Sequence, residues 1–205
     1  MLLILLWISY HTRAQDSIRT NYQNGMVKSK GVMEGDFKIG KWYYYFPNGQ
    51  LNAVENYNNG ALEGEMSTFF ENGQKKSEEI WKEGLLADSA KYFYKTGQIK
   101  RTGIYKEGLY WGQWLSYHEN GVLKSKGYYE FGLPDGEWEV YTEKGVLLQK
   151  GSYENGKEEG YWEFYDGDGL LNFSGNYKNG KEVGEWYKYS KNGKKKLYFD
   201  YGQKK

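Results

Sequence analysis

Cysteine is absent from the chain, and proline and histidine occur only twice each. Without cysteine there is no disulfide framework and no thiolate metal site. One of the two histidines, His11, lies in the apolar N-terminal segment, so a histidine-assisted nucleophile could be built only around His118. Long apolar runs are missing as well. The stretch from Leu2 to Ile8 is far too short to cross a bilayer as a helix. Neither sign of charge dominates: 28 Lys and Arg face 27 Asp and Glu, a formal net charge of +1. That balance gives no overall pull toward nucleic acid and no support for a membrane-surface partner. What the chain has in quantity is rings and glycine, with 22 Tyr, 9 Phe, 8 Trp and 28 Gly among 205 residues. Aromatics favour strands, glycine serves turns, and no window carries an apolar stripe at helical spacing. The composition predicts an all-β protein of many short strands.

The first residues bear on the compartment. An apolar core from Leu2 to Ile8 followed by Thr12-Arg13-Ala14 has the outline of a secretory signal cleaved after Ala14, although no basic residue precedes the core. Residues 1–14 are therefore expected to be a signal peptide, which predicts a secreted, periplasmic or envelope protein. If the segment is not a signal, the alternative is a cytoplasmic one.

From Lys41 onward the chain repeats every 24 residues without insertion or deletion, with tiles starting at 41, 65, 89, 113, 137, 161 and 185. A partial tile precedes them. The ninth position is always glycine (Gly25, Gly49, Gly73, Gly97, Gly121, Gly145, Gly169, Gly193), and the twentieth is glycine from Gly60 to Gly180. The fifth and seventeenth positions are aromatic, as in Tyr45 and Tyr57 or Tyr117 and Tyr129. The expected organisation is a cap over 15–40, six repeats over 41–184, and a final partial repeat with a basic end over 185–205.

Each tile reads as a hairpin whose turn lies at positions seven to nine, such as Pro47-Asn48-Gly49. A two-residue turn would require an N–H that Pro47 lacks. A three-residue loop fits: a type I turn followed by a left-handed glycine. This register sets position five against position eleven, pairing Tyr45 with Leu51, Phe93 with Ile99, Tyr117 with Leu123, Tyr141 with Leu147 and Tyr165 with Leu171. By parity, position seventeen is expected on the same face as these two. The second-position rings Trp42, Trp114, Trp138, Trp162 and Trp186 have the other parity. In a regular ladder they form an open face for a partner. A bulge at the neighbouring glycines (Gly112, Gly136, Gly160, Gly184) would instead turn them inward. The whole array, an elongated single sheet of antiparallel hairpins, would run roughly 75 Å at a strand spacing of ~4.8 Å.

The pattern resembles a known family. Gly112-Gln113-Trp114-Leu115-Ser116-Tyr117, Asn120-Gly121-Val122-Leu123 and Tyr129-Glu130-Phe131-Gly132 through Gly136 are similar to the bacterial variant of the MORN repeat, over about residues 17 to 205. The resemblance implies an elongated sheet of hairpins, no enzyme activity of its own, and a role in holding another protein or meeting a membrane. No cofactor is expected, and a single histidine without cysteine argues against the usual zinc sites. One bacterial branch is commonly labelled as antitoxins, which implies a toxin or envelope protein as partner. Two neighbouring tiles depart from the pattern: Met66 and Ala90 stand where others have Trp, and Asp88 replaces a glycine. Residues 66 to 90 are either a drifted structural tile or a bend or partner site. A second resemblance, of Gly40 to Leu51 to choline- or glucan-binding repeats, implies aromatic cages for cell-wall glycan or choline.

Other chemistry is sparse. Asp166 and Asp168 alternate with glycines in the manner of a calcium loop, yet they coincide with the repeat's turn and lack the further ligands such a loop needs. Glu158-Glu159 falls in the connection between tiles, where adjacent strand residues point to opposite faces. Residues 130–168 hold eleven acidic side chains against three lysines, and 172–205 hold nine lysines against three acidic residues. That asymmetry would either steer a partner of matching polarity or serve solubility and edge protection.

Overall fold

A computed structural model describes residues 15–202. The expected signal peptide lies outside the described residues. Seventeen strands follow one another in the order β1 (Gln15–Asn21), β2 (Val27–Glu34), β3 (Phe37–Tyr45), β4 (Leu51–Asn58), β5 (Ala61–Leu62), β6 (Gly64–Phe69), β7 (Lys75–Lys82), β8 (Leu85–Phe93) and β9 (Ile99–Lys106). The second half continues as β10 (Leu109–Tyr117), β11 (Leu123–Glu130), β12 (Leu133–Tyr141), β13 (Leu147–Glu154), β14 (Lys157–Tyr165), β15 (Leu171–Lys178), β16 (Lys181–Tyr189) and β17 (Lys195–Asp200). Each strand pairs antiparallel with its neighbours in sequence, so the chain is one open all-β meander. The one irregular strand is β5–β6, both halves of which pair with β4. The tile from Ser17 to Gly40 forms a hairpin of its own, β1–β2.

Two turn types alternate. Within a tile, Phe46 C=O accepts from Gly49 N–H (2.8 Å) and Gln50 C=O from Phe46 N–H (2.7 Å), with Gly49 left-handed at φ 86°. This is the three-residue loop expected from Pro47, and it recurs at every ninth-position glycine. From Asn59 to Gly180 the turn between tiles has two residues, both left-handed, as in Asn59 (φ 48°) and Gly60 (φ 83°). Positive φ at both central residues marks a type I′ turn, whose twist matches that of the flanking strands.

The expected cross-strand pairs all form, Tyr45 against Leu51, Phe93 against Ile99, Tyr117 against Leu123, Tyr141 against Leu147 and Tyr165 against Leu171. The expectation for position seventeen is corrected. Tyr44 pairs with Ala53 but Tyr45 with Leu51, so Asn52 is an extra residue, and the same slip recurs in other tiles. One inserted residue flips the parity of everything after it. Positions five and eleven therefore lie on one face, and position seventeen joins the tryptophans on the other. The five consecutive rings from Trp42 to Phe46 serve both faces, with Trp42 and Tyr44 on the tryptophan side.

Among the described residues no second layer covers this sheet, and few side chains are fully buried: Trp42, Ala53, Ala90, Tyr105, Trp114, Trp162 and Trp186 are the buried apolar residues. A hairpin this thin is marginal alone and gains stability by stacking on the next. Side chains staple each tile to its successor. Asn24, Asn72 and Asn120 donate from Nδ2 to the carbonyls of Pro47, Lys95 and Glu143, 2.8–3.1 Å away. Tyr22 and Tyr94 donate to the carbonyls of Tyr45 and Tyr117 (2.7 and 2.8 Å), and His118 Nε2 does the same to Tyr141 (2.9 Å). His118 is thus a tyrosine substitute in a structural staple.

Candidate interaction faces

The second-position tryptophans turn inward. At the start of each first strand that carries a second-position Trp, a left-handed residue, such as Gly112 (φ 65°), opens a bulge in which three residues oppose one: Trp111 pairs with Ile104 and Leu115 with Thr102, leaving Gly112, Gln113 and Trp114 against Gly103. The bulge lays the indole flat on the glycine of the preceding strand. A Cβ on Gly103 would sit 2.2 Å from Trp114 Cδ2, and Gly31, Gly127, Gly151 and Gly175 stand in the same relation to Trp42, Trp138, Trp162 and Trp186. The indole N–H of Trp42, Trp114, Trp162 and Trp186 donates to a backbone carbonyl on that strand, at 3.0–3.3 Å. These four rings are 2–5% exposed; Trp138, whose ring is turned the other way over Gly127, is partly exposed. The partner-binding face expected of Trp42, Trp114, Trp162 and Trp186 is accordingly corrected: the bulge places these rings in the core, where a partner cannot reach them without opening the sheet.

Sequence reasoning missed the glycine that each indole needs, although the signal is present. Wherever a tile has Trp at its second position, the preceding tile has Gly at its fifteenth. Where Met66 and Ala90 replace Trp, Glu55 and Glu79 replace Gly. The chain changes both partners or neither.

The tyrosines are what the tryptophan face presents. From Tyr105 to Tyr201 the rings form an unbroken ladder on one face: Tyr105, Trp114, Tyr110, Tyr129, Trp138, Tyr153, Trp162, Tyr177, Trp186 and Tyr201, with successive centroids 4.5–6.4 Å apart and mostly edge to face. Burial holds the hydroxyls of Tyr105, Tyr129, Tyr153 and Tyr177 above the usual phenol range, and the carboxylate of Glu158 adds to this at Tyr153 and Tyr177.

Two cations sit among rings on this face. The Lys38 ammonium lies 4.7, 5.2 and 4.8 Å from the centroids of Trp42, Tyr44 and Tyr57 and donates to Tyr44 Oη at 2.6 Å. Arg101 lies 4.3 Å from the centroid of Tyr92 and donates to Tyr110 Oη at 2.7 Å. Tyr57, hydrogen-bonded to Glu55 at 2.6 Å, is held well above the usual phenol range by burial first and by that carboxylate second.

Around residues 66 to 90 the ladder is interrupted, Asp88 takes the glycine's left-handed conformation (φ 56°), and Ala90 is buried. The opposite face here has a cleft of about 290 Å³ edged by Glu65, Lys75, Glu78 and Lys91. The turn at Asp166 is structural: its carboxylate accepts from the N–H groups of Asp168 and Leu170, both at 3.0 Å. Glu158 and Glu159 point to opposite faces. Glu159 caps the next turn through Asn179 N–H at 2.8 Å, and Glu158 lies on the tyrosine side. Among the described residues, no three His, Asp or Glu side chains are grouped so as to hold a metal.

An open meander of 24-residue hairpins joined by type I′ turns, with an indole of each regular tile seated on a glycine of the one before, defines a solenoid-like repeat protein. The family model for the MORN repeat variant matches residues 38–59, 62–83, 89–107, 112–130 and 134–155, together about half of the chain. The chain belongs to that family, a class of repeat modules that bind proteins or membranes. No curated protein matches it.

Proposed function

We propose that this protein is a non-enzymatic scaffold that binds another protein through the tyrosine side of its aromatic ladder. The observation that carries this reading is the ladder itself. The half-buried phenols of Tyr110, Tyr129, Tyr153 and Tyr177 alternate with the indoles of Trp114, Trp138, Trp162 and Trp186 along the second half of the array, and among the described residues no layer lies above them. Tyrosine supplies a large, stiff contact area with a polar tip, which suits it to interfaces. The reading extends to a place in the envelope and to an immunity role against an exported toxin, on the strength of the signal-like N-terminus. A photo-crosslinking residue at Tyr153, with one at Glu137 on the other face as control, tests it in the native host. One protein captured from position 153 alone supports the scaffold; equal capture from both faces, or none, refutes it. Mass spectrometry of the mature N-terminus tests export, with a chain beginning at Gln15 outside the cytoplasm as the expected result.

A second reading rests on the rings around Lys38, which show that this tile can surround an ammonium. A choline or cell-wall glycan binder would use this cage after Lys38 swings away. Retention of Lys38→Ala on choline resin, lost on the further change Tyr44→Ala, is its test.

A further inference from the structure

The other face carries an anomaly at the centre of the array. At three junctions between tiles a carboxylate caps the following turn: Glu63 accepts from Glu83 N–H (2.8 Å), Asp135 from Asn155 N–H (3.0 Å) and Glu159 from Asn179 N–H (2.8 Å). At the junction between Leu109 and Leu133 the equivalent two positions are Trp111 and Phe131. Their rings meet edge to face, with centroids 5.4 Å apart. Phe131 takes the left-handed conformation (φ 49°), which elsewhere in these turns falls to Asn or Glu, and it is 68% exposed. Phenylalanine is an uncommon occupant of this left-handed turn position, which favours Asn and Asp, so the chain tolerates some strain to keep an exposed ring there.

The ring is not isolated. Leu85, Leu109 and Leu133 stand at one tile position, 47–51% exposed, each leaning onto the next tile's turn glycine (Gly108, Gly132, Gly156). Ile104 and Tyr128, also exposed, share the face. Together these side chains offer on the order of 600 Å² of apolar surface, the top of the range for a monomer and near the roughly 800 Å² that each partner contributes to a stable interface. Charged residues run through the patch as well as around it. Lys82, Lys106 and Glu130 pair with Leu85, Leu109 and Leu133, the Lys106 ammonium lies 4.5 Å from the Trp111 centroid, and Glu63, Glu83, Asp135 and Lys157 lie at its ends.

We infer that this patch is the interface of a homodimer, with a second copy of the chain as its occupant. Three identical side chains spaced two strands apart, about 9.6 Å, form a row that is its own complement under a twofold axis through Leu109. That axis sets Leu85 of one copy against the second copy's Leu133. It also sets Lys106 on β9, the cross-strand partner of Leu109, against the second copy's Glu130 on β11, the cross-strand partner of Leu133, so charges within the patch are complementary. The tyrosine ladder, on the opposite face, stays free, and the inference stands whatever that face binds.

Sedimentation equilibrium of the full chain from about 1 to 100 µM is the test, comparing wild type with the double variant Trp111→Glu, Phe131→Asn. That variant recreates the capped polar junction found elsewhere in the same chain, so its melting point is expected at or above that of wild type. The wild type should be dimeric, and the variant's dissociation constant at least tenfold weaker. Should the variant fail to fold, Leu109→Lys, which copies the residue at positions 157 and 181, gives the same comparison. A wild type that is monomeric throughout overturns the inference, even if the patch captures another protein or lipid vesicles. So does a dimer that neither variant weakens.

Discussion

Replacing Gly151 by alanine tests the packing that makes this sheet a fold. In an ordinary strand the change gains about 0.5–1 kcal/mol, because glycine loses the most backbone freedom on folding. Here the new methyl would fall 2.1 Å from Trp162 Cδ2. The indole has no room to yield: it is 2% exposed, holds Ser152 C=O at 3.2 Å, and is flanked by Tyr153, Phe164 and Tyr177 with centroids 5.2–6.0 Å away. Overpacking of this kind costs about 2 kcal/mol, and displacement of the indole from its carbonyl about 1 more. At about 2–4 °C per kcal/mol for a chain of this size, Gly151→Ala should lower the melting temperature by roughly 6–12 °C. Trp162→Ala should cost about 4 kcal/mol through the cavity it leaves. The decisive variant carries both changes. With the ring gone the methyl has space, so the pair should cost no more than Trp162→Ala alone, a coupling of about 2–3 kcal/mol. Gly167→Ala, with open space around it, is the control and should be neutral or slightly stabilising. Thermal and urea melts of the four variants decide. A harmless Gly151→Ala, or costs that simply add, would refute the seating of indole on glycine.

Asp88 bears a left-handed strain that glycine does not, so Asp88→Gly should stabilise by about 1 kcal/mol, read as a rise in the urea midpoint. Asn120→Ala removes one bond to Glu143 C=O and one from Val122 N–H; it should cost about 1–2 kcal/mol and raise amide exchange in β11 and β12 more than at the ends of the array. Stability should be flat near neutral pH and fall above pH 10. Tyr105, Tyr153 and Tyr177 keep their protons in the fold beyond the 10.0 of free tyrosine, so the unfolded chain ionises first. On the acid side, Glu139 is held below its ordinary 4.5 by hydrogen bonds from Tyr141 and then Lys126, so its contribution is full above 4.5 and is lost as pH falls from there through its lower folded value. Denaturant midpoints measured from pH 3 to 11 check both limbs.

Period, hairpin and loop were legible because each is local. Pro47 forbids the two-residue turn, the ninth-position glycine supplies the left-handed residue, and the Tyr45–Leu51 pairing follows from those two alone. The face of Tyr57 was not legible. Nothing about Asn52 itself marks it as an inserted residue; the slip exists only once two strands must be paired in register. The place of the tryptophans was half legible, since Gly112 and its equivalents announced a bulge without saying which way the ring would swing. That choice belongs to the tertiary structure. An indole finds cover only where the neighbouring strand has no Cβ, and Gly103 comes under Trp114 when β9 and β10 lie side by side. The sequence by itself determined a repeating hairpin with rings for two faces. Burial of the indoles, the tyrosine ladder over them and the exposed Trp111–Phe131 pair were decided by contacts between tiles, because only stacking brings those residues within reach of one another.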